Sequence, residues 1–245
     1  MGAFNKINAL KRTLDSYRPL PSEAVQNLKE VYKVEWTYHS NAIEGNTLSL
    51  METKLVLEEG LTIGGKQLRE HFEAINHAEA IDYVESNLQH PLNEKLLKNI
   101  HALVLKNIDD KNAGKYRSIN VRISGSEHTP THFLQVEHDM RELFEWYNNE
   151  KDRLHPVELA AVFHFKFVFI HPFSDGNGRT ARLLMNLILM QAGYPPAVVK
   201  ANSENRLNYY RALEQASVEK DIKPFVELIA VCAEESLENY LDAIR

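Results

Sequence analysis

From Val157 to Ile170 eleven of fourteen residues are apolar, the exceptions being Glu158, His164 and Lys166. A segment this uniformly apolar has no face to give to water, so as a helix it must be buried on nearly all sides. Aromatic and β-branched content would also suit a strand. The length of the run and Pro156 at a first helical position favour the helix. A second apolar stretch carries Leu183, Leu184, Met185, Leu187, Ile188, Leu189 and Met190, and closes at Gly193 and Pro195-Pro196. The chain must therefore bury two helices joined by the run His171-Pro172-Phe173-Ser174-Asp175-Gly176-Asn177-Gly178-Arg179.

Pro172 disfavours helical backbone at His171, so the first helix stops there and presents the imidazole at its end. Gly176 and Gly178 let the backbone turn sharply and approach a ligand closely. A glycine-bearing loop that feeds a helix N-terminus points N–H groups and the positive dipole end at whatever sits there. Arg179 and Arg182 are expected in the first turn of the second helix, where a cation is unfavourable unless an anion is near. Ligand phosphates would repair that charge. Asp175 beside a polyphosphate can hold Mg²⁺, which takes oxygen ligands. His171, with a reference pKa of about 6.5, can accept a proton near neutrality. Base, cradle and carboxylate together suggest phosphoryl or nucleotidyl transfer.

The remaining chain reads as mostly helical. Helical spacing runs through Pro91–Ile108 with Asn93 as N-cap, through 66–89, through Val136–Tyr147, and from Asp221 towards Leu241. Ser49-Leu50-Met51-Glu52 forms a capping box that opens a helix ended by Gly60. Val34–Ile43 suits a short helix with Gly45 beyond its end. Ile119, Val121 and Ile123 alternate with Asn120 and Arg122 before Gly125-Ser126, which predicts a short strand or β-hairpin over 118–128. The expected fold is all-α, a compact helical bundle with one small β-hairpin. Lys plus Arg number 28 and Asp plus Glu 34, for a net charge of −6. That balance argues against a coat for nucleic acid or an anionic membrane. The single Cys232 excludes an internal disulfide and multi-thiolate zinc sites. The absence of H-E-x-x-H argues against a zinc hydrolase. The first twenty residues lack a signal-peptide core and no apolar run reaches a membrane span, so a cytoplasmic chain is expected.

The run His171 to Arg182 matches H-P-F-x-[D/E]-G-N-G-R-x-x-R, and by it the chain resembles the Fic (filamentation) family from about Tyr38 to Tyr240. The resemblance implies a single Fic-type domain over 1–245, with the catalytic core at about 95–200. It implies transfer of AMP from ATP to a Ser, Thr or Tyr hydroxyl of a target protein, the chain itself included, with release of pyrophosphate. His171 would be the base and Asp175 the Mg²⁺ ligand. Asn177 and the loop N–H groups of Gly176 and Gly178 would hold the α-phosphate, and Arg179 and Arg182 the outer phosphates.

Gly114-Lys115-Tyr116-Arg117 through Gly125-Ser126-Glu127-His128-Thr129-Pro130 is similar to the family's flap, a hairpin that docks the target by strand addition and covers the nucleotide. Tyr209-Tyr210 is similar to its adenine-side tyrosines, although two adjacent helical residues cannot both face one way. Ser40-Asn41-Ala42-Ile43-Glu44-Gly45 resembles the inhibitory motif [S/T]-x-x-x-E-[G/N], carried here in the N-terminal region 1–60. It implies that Glu44 takes Arg182 in place of the γ-phosphate. An Arg fork suits either partner, not both. Relatives imply two alternatives, removal of AMP with Glu44 positioning water, and non-AMP phosphotransfer. A homodimer is compatible with the many apolar helices.

Overall fold

In a computed structural model, residues 4–20 and 22–244 are described. Among them are ten α-helices: α1 (Asn5–Ser16), α2 (Ser22–Ile43), α3 (Leu50–Glu58), α4 (Leu68–Ser86), α5 (Glu94–Leu105), α6 (Val136–Glu150), α7 (Pro156–Ile170), α8 (Asn177–Gln191), α9 (Ser203–Val218) and α10 (Lys223–Ile244). A 3-10 turn, Phe133–Gln135, leads into α6. None of these helices is long and apolar enough to cross a membrane.

The two apolar segments form the centre. α7 starts with Pro156 at its first turn, and no residue of it is fully exposed. In α8 every residue from Arg179 to Leu189 is buried. The two pack on each other; α4 and α5 cover α8, while α6, α9 and α10 cover α7. α2 lies against α4 and α10 and also reaches α8. Phe163, Phe167 and Phe173 have no exposed surface.

The local signals place most helix ends. Ser49 accepts from the Glu52 N–H at 3.2 Å while the Ser49 N–H donates to the Glu52 carboxylate at 2.7 Å, a complete capping box. Asn93 caps α5 at 3.0 Å from the Leu96 N–H. α2 extends well upstream of the expected Val34, because Leu28, Tyr32 and Trp36 continue its buried stripe at four-residue spacing.

The hairpin is a correction, since residues 118–128 contain no strand. Alternating side chains describe an extended backbone but not a partner for it, and Ile119 is 62% exposed. One buried guanidinium takes the place of a ladder. Arg117 donates from Nη1 to the Ile119 carbonyl at 2.8 Å and from Nη2 to the Thr131 carbonyl, joining the two feet of the loop. Its Nε donates to the His171 carbonyl at 2.8 Å, which ties the loop to the end of α7. At the tip the Ser126 N–H donates to the Ile123 carbonyl at 3.3 Å around Gly125, whose φ of +79° is in the left-handed region.

Phe163 packs in α7 with its ring 5.5 Å from Tyr147 and 6.3 Å from Phe144. Phe163→Ala is expected to cost about 3–5 kcal/mol by removing buried contacts and leaving a cavity. Urea unfolding followed by circular dichroism measures that loss, and a cost under about 1 kcal/mol would contradict this account of the centre.

Candidate functional site

α7 ends at Ile170, and His171 takes a left-handed conformation, φ 54° and ψ 59°. Its Nδ1–H donates to the Val168 carbonyl at 3.3 Å, leaving Nε2 with a free lone pair. Burial lowers its pKa to about 4, so the imidazole is neutral at pH 7.

Phe173 then anchors the loop. Its N–H donates to Asn177 Oδ1 at 3.0 Å and its carbonyl accepts from Asn177 Nδ2 at 2.8 Å, so the Asn177 amide serves the loop at both ends. His101 of α5 stacks on the Phe173 ring at 3.5 Å and 5°. The Gly114 N–H donates to His101 Nδ1 at 2.9 Å, and His101 Nε2–H donates to the Asp175 carbonyl at 3.0 Å. That pair of bonds requires a neutral ring, in line with burial pulling its pKa down to about 4. Gly176, with φ 74°, makes the turn into α8.

Asp175 lies between two cations. Its Oδ2 is 2.6 Å from Arg69 Nη2 and its Oδ1 3.4 Å from Arg179 Nη2. Burial opposes its charge, but Arg179, the Gly176 N–H and Arg69 outweigh burial and hold the carboxyl below its usual range. Arg179 is buried, with Nη1 3.3 Å from Glu73 Oε1, yet that pairing is not aligned as a hydrogen bond, and Nε also lacks one. Glu73 itself reaches Arg69 and accepts from Asn46 Nδ2 at 3.0 Å.

Arg182 falls in the second turn of α8, because the helix opens at Asn177, and not in the first as expected. It is 2% exposed. Its Nε donates to Ser40 Oγ at 3.0 Å, Nη2 to the Ser40 carbonyl at 2.8 Å, and Nη1 to the Tyr209 hydroxyl at 3.1 Å. Tyr209 in turn donates to His164 Nε2 at 3.0 Å. Nη2 also pairs with Glu44 Oε1 at 2.8 Å. A Cβ on Gly178 would lie 2.1 Å from that same Oε1, so only glycine leaves room for the carboxylate there.

Glu44, His171 and Gly178 line one cleft of about 610 Å³, together with Gly125, Ser126 and His128 of the loop and Tyr209 and Tyr210 of α9. Ser126 Oγ and the Glu127 N–H both donate to Glu214, and His128 Nε2–H donates to the Phe169 carbonyl at 2.7 Å, which seats the loop tip on α9 and α7. The adjacent tyrosines divide as helical geometry requires. Tyr209 is buried, and Tyr210 is 40% exposed.

A family model for Fic/DOC matches residues 91–189, which includes the whole loop. A protein from Bacteroides thetaiotaomicron, described as a Fic domain containing signaling protein, superposes with a TM-score of 0.90 at 33% identity over 98% of this chain and 97% of that one. The chain belongs to the Fic/DOC family. Fic-1 from Caenorhabditis elegans superposes with a TM-score of 0.86 at 35% identity, covering 98% of this chain and 72% of the solved one. Protein adenylyltransferase Fic from Nematostella vectensis is 41% identical over 218 residues, 87% of this chain and 50% of the relative. The chain thus spans about half the length of the curated relatives it matches.

Within this Fic site, sequence reasoning placed His171, Asp175, Gly176, Asn177, Gly178, Arg179, Arg182 and Glu44 in one neighbourhood, and the structure brings them together. It missed His101, Arg69 and Glu73, which sit on other elements and carry no local spacing signal, and it named Arg117 only as part of the flap stretch, without its ties to the ends of that loop and to α7. Ser40 was read only as the first residue of the S-x-x-x-E segment, and its two bonds to Arg182 were not anticipated.

His39, His101 and His171 are each held neutral by burial, with pKa lowered to about 4. Between pH 6.5 and 4 the unfolded chain binds protons that the folded chain refuses. Their contribution to stability is full above pH 6.5 and is lost as pH falls through 4. The melting temperature should drop over that window by on the order of 10 °C. Calorimetry at stepped pH tests this, and a flat profile would mean that these rings are not buried neutral.

Proposed function

We propose that this chain is a protein adenylyltransferase, moving AMP from ATP to a hydroxyl side chain of a target protein and releasing pyrophosphate. The observation that carries the reading is the Glu44 carboxylate on Arg182, directly over Gly178 and in the same cleft as His171. Membership of the family and relatives named as protein adenylyltransferases support it.

In this mechanism His171 Nε2 takes the proton of the target hydroxyl as its oxygen attacks the α-phosphorus. The bond to the pyrophosphate breaks with its electron pair. Val168 fixes the tautomer, and burial keeps the ring neutral until that moment. The unpaired N–H groups in the first turn of α8 hold the α-phosphate. Asn177 shapes the loop that presents them. Arg179, buried with N–H groups to spare, takes an outer phosphate.

The oxygen donors present fit Mg²⁺. Asp175 is one partly exposed carboxylate at the loop, and such an ion is commonly held by one or two carboxylates plus substrate phosphates. Bound there, the ion would neutralise charge on the phosphates. Arg69 pairs with Asp175 Oδ2 at 2.6 Å, so Asp175 would share its charge between that guanidinium and the ion. The extended backbone at 118–124 offers main-chain groups to a target segment.

With Glu44 seated, ATP binds with its phosphates misaligned, since small displacements cost large rate factors. Glu44→Gly should raise self-modification by about 10–100-fold with the fold intact. Intact-mass measurement of AMP incorporation checks this, and incorporation no greater than wild type sinks the inhibitory assignment. His171→Ala should lower transfer by about 10²–10⁴-fold while leaving ATP affinity within about twofold. Transfer that survives in this variant removes His171 from the role of base, and calorimetric titration reports the affinity.

A further inference from the structure

The last carbonyls of an α-helix have no partner inside it. At the end of α2 the Ile43 carbonyl nonetheless receives two donors, both from α9. Arg206 Nε donates at 2.8 Å and the Tyr210 hydroxyl at 3.0 Å. The two residues are one turn apart, and the guanidinium lies 5.7 Å from the centre of the Tyr210 ring. Arg206 stands in the first turn of its own helix, where a cation is at a disadvantage, and the negative end of α2 offsets that.

The Ile43 carbonyl belongs to the peptide unit that contains the nitrogen and Cα of Glu44. Those atoms are coplanar, so holding the oxygen fixes the plane from which the Glu44 side chain departs. On its other side the turn is closed by its own helix. The Glu44 and Asn46 N–H groups donate to the Asn41 carbonyl at 3.0 and 3.1 Å, and the Gly45 N–H to Ala42 at 3.1 Å. Gly45 follows at φ +99°, a left-handed conformation that glycine adopts without strain.

We infer that Arg206 and Tyr210 form a clamp on the Ile43 carbonyl that positions Glu44 on Arg182, which makes them positioning residues for the inhibited state. The inference rests on the reading of Glu44 given above. Arg206 and Tyr210 both line the cleft, so the KM for ATP is read alongside turnover to separate a lost nucleotide contact from a lost clamp, and Arg206 is the probe because its Nε makes the shorter bond to the Ile43 carbonyl.

The experiment compares wild type, Arg206→Met, Glu44→Gly and the double variant as full chains with ATP and Mg²⁺. Two readouts are taken, hydrogen exchange at the 44–46 amides and the turnover and KM for ATP in self-modification. In Arg206→Met, exchange should be faster by about tenfold, and turnover should rise by about tenfold, the loss expected for one hydrogen bond to a charged donor. KM should stay within about twofold, because the carboxylate misaligns the nucleotide without excluding it. The double variant should match Glu44→Gly. Unchanged exchange overturns the clamp, as does unchanged turnover in Arg206→Met where Glu44→Gly is activated. A further rise in the double variant also overturns it, by showing that Arg206 acts without Glu44. If Glu44→Gly itself is not activated, the inhibitory reading fails, and exchange alone decides whether the clamp holds the turn.

Discussion

Arg182 carries a full positive charge where almost no water reaches it. Withdrawing a guanidinium from water costs several kcal/mol unless its donors are met and an anion is close. The neighbourhood meets that demand from three directions. α2 supplies the Ser40 hydroxyl and carbonyl, α9 the Tyr209 hydroxyl, and the turn after α2 the Glu44 carboxylate. Burial opposes the charge, but Tyr209 and Glu44 outweigh burial and hold the guanidinium pKa above its ordinary value. Of these partners only Glu44 bears a full negative charge, and only Glu44 sits on a short turn. The others are fixed by helices, so exchanging the anion leaves most of the hydrogen bonding in place. On the proposed reading a nucleotide phosphate is that replacement.

Arg179, three residues earlier, has a different balance. It is equally buried, yet its Nε and Nη1 lack hydrogen bonds and its nearest anions stand at 3.3 and 3.4 Å. The loop leading to it is stiff, with Asn177 bonded twice to Phe173, and with His101 stacked on that ring and bonded to Asp175. A rigid loop that holds an under-satisfied cation at a helix N-terminus is preorganised for an anion. Arg182 is thus a site already filled, and Arg179 one that is only partly filled.

What could be read from the chain follows the range of the forces involved. The loop and its flanking helices were legible because Pro172, Gly176 and the apolar runs act on their immediate neighbours. The end of α2 was legible from Gly45, but its start was placed too late, although Tyr32 and Trp36 continue the stripe. The extended loop at 118–128 was misread for a physical reason. Alternation of Ile119, Val121 and Ile123 reports backbone extension, while a strand needs a partner's N–H and C=O groups. Here Arg117, a residue with no strand signature, ties the feet together from beneath. His101 and Glu73 were invisible because each acts from a different helix on the loop, and nothing in their own segments marks them.

Gly178 ties the charge argument to space. Its backbone is not in the left-handed region, so conformation alone does not demand glycine; the Glu44 carboxylate does, since a Cβ would meet its oxygen at 2.1 Å. The same lack of a side chain lets a phosphate come close to the first N–H groups of α8. On the proposed reading, the space over Gly178 is where the Glu44 carboxylate and a nucleotide phosphate compete. Either anion can pair with the Arg182 fork, and the same guanidinium donors do not serve both at once. On that reading Glu44 needs no allosteric distance to inhibit, because it competes for the very donors that its release exposes.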